Sequence, residues 1–287
     1  MISLVKRNIS LYLTDKAGVI LSLLGAFVAV FLVMGFLRTA LVSSLVDGFG
    51  GLVTQQEAGH LLDTWLIASA SVIASATTGL GAFAFYIRDR ESSMWRDFLI
   101  TPLRRWSITA GYLIAAAIIS VFMTFIVYAL GTAYCLVTQA PLSWSGVVEG
   151  WGWLMLCCLS FTCLMGFVVS LLKTFNAYTA LSIIVGVMFG FLAETYVTTA
   201  MLRASLADVL AGLPFAQASA LVRQPYTSAV IASLPVEAQQ ATIEAMGISL
   251  SVGTTPVTTT WSVITLVGVA LMCAVGSWLM MARSVQR

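Results

Sequence analysis

WLIASASVIASATTGLGAFAFYI, residues 65–87, contains no charged side chain. At 1.5 Å per residue, a helix of this length crosses the roughly 30 Å of a bilayer's hydrocarbon. Its polar content is small: Ser69, Ser71, Ser75, Thr77, Thr78, Gly79 and Gly81. Such residues let helices approach closely, and their hydroxyls can bond across the contact. Helix packing is one reading, and a face lining a substrate path is the other. Both hold if they occupy different faces.

Five further stretches resemble it in length and apolarity: residues 19–37, 108–137, 151–172, 177–193 and 260–282. The chain is 60% hydrophobic and 9% charged over 287 residues, with mean hydropathy +0.98. A soluble domain carries about 25% charged residues. So apolar a chain cannot cover its surface with polar groups, and its solvent is lipid. The sequence predicts a single all-α membrane domain with six transmembrane helices over residues 1–287. Lys6 and Arg7 could open a signal peptide, but the apolar run that follows is longer than an h-region of roughly 7–15 residues. That first span is expected to be retained.

Charge predicts the orientation. Eleven of the fourteen basic residues precede span one, lie between spans two and three or four and five, or follow span six. Only Arg38, Arg203 and Arg223 fall on the other side, where Asp47, Glu57, Asp63, Glu149, Glu194, Asp208, Glu237 and Glu244 gather. The basic side is expected to be cytoplasmic, with both termini on it. Trp65, Trp144, Trp151, Trp153 and Trp261 then mark the outer headgroup level, and Trp95, Trp106 and Trp278 the inner one.

Three segments do not span. In residues 2–16, Ile2, Val5, Ile9, Tyr12 and Leu13 recur at helical spacing opposite Ser3, Lys6, Arg7, Ser10 and Thr14, which predicts an amphipathic helix lying on the inner surface. In the loop 88–106, Met94, Trp95, Phe98 and Leu99 form an apolar helical stripe among charges, ended by Pro102. Residues 194–259 form an outer region. Its first part is expected to re-enter the membrane edge, and its second to hold a short helix with Ser233 as cap and Pro235 in the first turn.

Several chemistries lack a signature. There is no GxxxxGK[ST] phosphate loop, no basic aromatic stripe for nucleic acid and no cluster with metal-ligand spacing. The five cysteines fall within spans and read as packing residues. His60, the one histidine, reads as a solvated loop residue. Serines are abundant but lack a base to activate them. The span interiors are essentially uncharged, whereas ion coupling usually needs ionisable groups there. Glu194, at the outer end of span five, is the nearest such group and reads as a solvated helix terminus.

The loop DRESSMWRDFLITPLRRW, residues 89–106, followed by Gly111, resembles the segment between spans two and three of type-2 ABC-exporter permeases. Asp89, Arg90, Glu91, Asp97, Phe98, Leu99, Thr101 and Pro102 fit that pattern. Ser93 departs from it, standing where glycine is common. LPFAQASALVR, residues 213–223, resembles the family's outer motif through Pro214 and Arg223, with Gln217 where histidine is frequent. The N-terminal helix resembles the family's elbow helix. The resemblance implies an ATP-driven exporter subunit in a bacterial cytoplasmic membrane, moving a hydrophobic or amphiphilic substrate by alternating access. Its partners would be a second permease subunit, membrane lipid and a separate ATPase subunit that carries ATP and Mg, with no cofactor on this chain. ATPase docking would fall to Arg90, Glu91, Met94, Trp95, Asp97 and Phe98. The substrate path would draw on Ser71, Ser75, Thr78, Asn176, Phe189 and Tyr196. An ion-gradient-driven carrier, a membrane-embedded enzyme and an assembly subunit are the competing readings.

Overall fold

The computed structural model describes residues 1–92, 105–196, 204–253 and 255–284. The chain is an all-α membrane protein with six helices long and apolar enough to cross a bilayer. Helix α1 (Ile2–Thr14) precedes α2 (Lys16–Leu32), which runs through a π-helical turn (Val33–Leu37) into α3 (Arg38–Gly48). Then come α4 (Gln55–Ala82), α5 (Ala84–Glu91), α6 (Arg105–Val137), α7 (Trp144–Leu171) and α8 (Phe175–Leu192). After these lie α9 (Ala204–Gly212), α10 (Pro214–Ser233), α11 (Val236–Ala245), the strands β1 (Ser251–Val252) and β2 (Thr255–Pro256), and α12 (Thr259–Ser284). The strands form an antiparallel hairpin, with Ser251 opposite Pro256.

Helix α4 is the axis of the bundle. Of its most apolar window 94% is buried, against 11% for α12, 22% for α8 and 28% for the α2–α3 span. Helices α2, α6, α7, α8 and α10 all pack on it. Its small residues permit this closeness. A methyl group on Gly81 would stand 2.6 Å from Ser22 Cβ, and one on Gly79 2.9 Å from Thr162 Oγ1. The outer helices bury narrow stripes and leave large apolar side chains exposed, such as Phe27 and Phe31 on α2 and Leu271 and Met272 on α12. That distribution suits a molecule surrounded by lipid.

Several sequence-based boundaries move. The first span continues past Leu37 because Arg38 lies inside the helix, where it grips Asp63 through two hydrogen bonds of 3.1 Å. Asp63 is itself buried in α4 and not in a loop. Helix α4 starts ten residues before Trp65, at a capping box in which Thr54 and Glu57 bond reciprocally. His60 therefore sits in this helix, not in a loop. Trp65 is fully buried in protein and does not mark a headgroup level.

In the region 194–259, α9 and α10 meet at an 82° bend, the geometry of a broken span or re-entrant loop. Pro214 opens α10, where its missing N–H is harmless. The buried Gln217 closes the corner by donating to Ala211 O at 3.0 Å. Ser233 does not cap α11. It ends α10, its hydroxyl bonded back to Val230 O at 2.7 Å, and Pro235 takes the cap position.

Candidate functional site

Two polar assemblies grip the α4–α5 rod, one at Trp65 and Ser69 and one at its Arg88–Glu91 end. At the first, Arg223 of α10 is wholly buried. Its Nε donates to Ser69 Oγ at 2.8 Å and its Nη1 to Gly247 O at 3.2 Å. Its Nη2 donates to Ala193 O at 2.8 Å and Glu194 O at 3.0 Å. The guanidinium also lies 4.6 Å from the centre of the Trp65 ring. Trp65 Nε1 in turn donates to Met246 O at 2.7 Å. A buried cation is tolerable when hydrogen bonds replace its hydration, and the planar fork of arginine meets several carbonyls at once. Glu194 has φ +52°, uncommon outside glycine, and this turn presents two successive carbonyls to the guanidinium. Glu194 is buried as well, and its carboxylate interacts electrostatically with Arg223. The expectation of a solvated Glu194 is thus corrected: the end of α8 folds inward over Arg223.

At the second assembly, α5 carries Arg88, Asp89, Arg90 and Glu91 in succession. Asp89 receives two bonds from Arg7 of α1, at 2.8 and 2.9 Å, and one from Tyr112 of α6. The bond to Asp89 raises the Arg7 pKa above its usual value, outweighing the opposite effect of partial burial. Arg90 donates to Ser170 O at 3.1 Å and Leu172 O at 2.9 Å, satisfying carbonyls left open at the end of α7. Glu91 accepts from Phe175 N at 3.3 Å, at the start of α8. Asp89, Arg90 and Glu91 thereby join α1, α6, α7 and α8 to the end of α5.

Helix α1 keeps its predicted polar residues Ser3, Lys6, Ser10 and Thr14 exposed, and only part of its predicted apolar stripe faces the bundle. Leu4, Asn8 and Tyr12 are its buried residues, while Ile2 and Leu13 are exposed. Tyr12 bonds Ser22 across 2.6 Å. Arg7, expected on the solvent stripe, is spent on Asp89. The helix is docked on the bundle by a polar–apolar face.

Of the residues proposed to line a path, Ser71, Ser75 and Thr78 are buried in α4, and their hydroxyls bond carbonyls of their own helix at 2.6–2.8 Å. Ser75 O also accepts from Ser120 Oγ of α6 at 2.7 Å. Phe189 is a core residue against Phe161 and Phe215. Tyr196 packs on Gly190 and Phe191. Asn176 is exposed at the far end of α8. Asn176 and Tyr196 are therefore separated by the length of a helix, about 27 Å at 1.5 Å per residue, and these six residues do not converge within one chain. Among the proposed docking residues, Arg90 and Glu91 are engaged as above, and Met94, Trp95, Asp97 and Phe98 lie outside the described residues. Sequence reasoning missed Ser69 and Trp65 as partners of Arg223, and Arg7 and Tyr112 as partners of Asp89. No local signal pairs residues so distant in sequence.

Among the described residues no three His, Cys, Asp or Glu side chains are grouped to hold a metal. All five cysteines are free and buried or half-buried. No protein-family model, curated protein or solved structure matches the chain.

Proposed function

We propose that the chain is the membrane subunit of an ATP-driven exporter of the type-2 ABC class. It would move a hydrophobic or amphiphilic substrate, such as a drug, antibiotic, lipid or lipid-linked glycan, out of a bacterial cytoplasm. The observation that carries this reading is the junction at Arg88–Glu91. The loop read from sequence at residues 88–106 begins within α5, where α1, α6, α7 and α8 are tied to that helix by charge-assisted bonds. A force applied to that loop by a partner ATPase would reach the central helix and its neighbours at once. Met94, Trp95 and Phe98, which recur at helical spacing in the sequence, would supply the surface for such a partner. In this reading the Arg88 end faces the cytoplasm, as the distribution of basic residues requires, and two copies or a related pair enclose the path.

The test is purification of the tagged chain in mild detergent, with identification of co-purifying subunits and an ATPase assay. A stoichiometric partner bearing a phosphate loop and vanadate-sensitive hydrolysis is expected. Replacing Trp95 and Phe98 by Ala should uncouple hydrolysis from export while leaving the spans folded. Unchanged export and partner binding would overturn the assignment.

A gradient-driven carrier is the second reading, favoured by the buried Glu194 beside Arg223. It requires transport without an ATPase, abolished in Glu194→Gln.

A further inference from the structure

We propose that Lys16, Arg88 and Lys173 form a binding site for the phosphate of an anionic phospholipid whose chains run along α2. This rests on geometry at the Arg88 end and not on the exporter reading.

Arg88 differs from the other described internal arginines. Arg7, Arg38, Arg90 and Arg223 all donate hydrogen bonds to fixed acceptors. Arg88 makes none within 3.5 Å to a described residue. Its guanidinium lies 4.7 Å from the centre of the Phe175 ring and 5.5 Å from that of Phe85. Its one ion pair, to Asp15, is long at 3.6 Å, and its side chain is 49% exposed. The rings flank the group, and the half-exposed side chain can reach an acceptor besides Asp15. Bidentate donation to phosphate is what a guanidinium does best.

The surroundings favour an anion. Lys16 adjoins Asp15, Lys173 precedes Phe175 by two positions, and both lysines are exposed. The nearby acids are already occupied. Asp15 caps Gly18 N at 3.0 Å, Asp89 is bound by Arg7 and Tyr112, and Glu91 accepts from Phe175 N.

The surface next to this niche is hydrocarbon-like. Ile20, Leu21, Leu24 and Phe27 are exposed along α2. They continue into an exposed apolar face of α2 and the π-helical turn after it that includes Phe31 and Phe36. Leu24 is eight residues from Lys16, about 12 Å along a helix. Cationic groups at one end and an apolar face beyond match a phosphate headed by acyl chains. A second protein copy would bring its own apolar face but no phosphate.

The test uses the full chain, purified and stripped of lipid, then offered phosphatidylglycerol or phosphatidylcholine and read by native mass spectrometry. Phosphatidylglycerol should be retained preferentially, and less so at high salt. Arg88→Gln and Lys173→Gln should each lower its retention about fivefold, the effect of one basic residue at an anionic headgroup. Lys173 is exposed, so its variant separates binding from folding. Asp15→Asn keeps a side chain able to cap Gly18 but frees Arg88, and should raise retention. Equal retention of both lipids, or indifference to these three variants, would overturn the proposal. So would a dimer that occupies this face and dissociates in Arg88→Gln.

Discussion

The two polar assemblies on the α4–α5 rod solve the same problem differently. At the Arg223 end one cation is sealed from solvent, and its acceptors are mostly backbone carbonyls from two separate segments. At the Arg88 end a buried Asp89 is held by the partly exposed Arg7 and by Tyr112, while the more exposed Arg90 and Glu91 bond two helix termini. A buried, fully bonded charge is costly to disturb because every acceptor it leaves is stranded. Exposed pairs are individually weak and exchange partners readily. The comparison assigns rigidity to the first end and adjustability to the second, as expected if movement enters at Arg88 and pivots near Arg223.

The largest effect should come from Arg223→Met. It removes the guanidinium donors to Ala193 O, Glu194 O and Gly247 O and the positive charge that faces the Glu194 carboxylate. Loss of about 3–5 kcal/mol is expected, seen as loss of monodisperse protein or a large fall in thermal midpoint in detergent. Arg223→Lys should recover only part of it, since an ammonium cannot reproduce the fork. If Arg223→Met were as stable as the parent, the rigid end would not depend on this charge.

Glycine substitutions sharpen the contrast next. A methyl group at Gly146 would collide with the backbone carbonyl of Pro225, which fixes α7 against α10. At the other end, a methyl on Gly111 would meet Leu4 Cδ2 at 2.8 Å, the tip of a flexible side chain. Gly146→Ala should therefore cost about 1–3 kcal/mol, the range for overpacking, and Gly111→Ala distinctly less. Equal thermal midpoints for the two variants would refute the distinction.

Hydropathy made the six spans legible, because their length and lack of charge follow directly from the solvent they face. The start of α4 was also written locally, in Thr54-x-x-Glu57, although the expected boundary fell at Trp65. Arg38, Asp63 and Glu194 were misread for one common reason. A charge at the end of an apolar run looks solvated until its partner is known, and these partners lie 25 or more residues away. The same holds for Trp65, whose ring resembles a headgroup anchor but serves Arg223 and Met246. Periodicity in α1 found the helix and its polar stripe, of which Ser3, Lys6, Ser10 and Thr14 are exposed, but not that Arg7 turns to Asp89 in the bundle.

A double-mutant cycle at Arg7 and Asp89 measures the adjustable end directly. Arg7→Gln and Asp89→Asn should each cost about 1–2 kcal/mol, and together less than their sum, because both remove the same charge-assisted pair. Tyr112→Phe should weaken the Asp89→Asn effect for the same reason. Additive losses in thermal unfolding would mean that α1 is held by Leu4 and Tyr12 alone.

The smallest effect on stability is expected at Arg90 and Glu91, and it discriminates best between the two ends. Glu91 is exposed and supplies one long helix-start bond; Arg90 serves two carbonyls at the end of α7. Removal of either should cost about 1 kcal/mol or less, because water can replace what is lost at a half-exposed site. Yet both residues connect the end of α5 to the turn between α7 and α8. If that connection transmits motion from an ATPase, Arg90→Ala with Glu91→Ala should leave the thermal midpoint nearly unchanged. Partner binding should persist, while substrate no longer stimulates hydrolysis. A variant that keeps full stimulation would show that these contacts only tidy helix ends, and would shift the transmitting role to the Arg7–Asp89–Tyr112 group. Stability and coupling would then respond to the same residues, contrary to the division proposed between the rigid and adjustable ends.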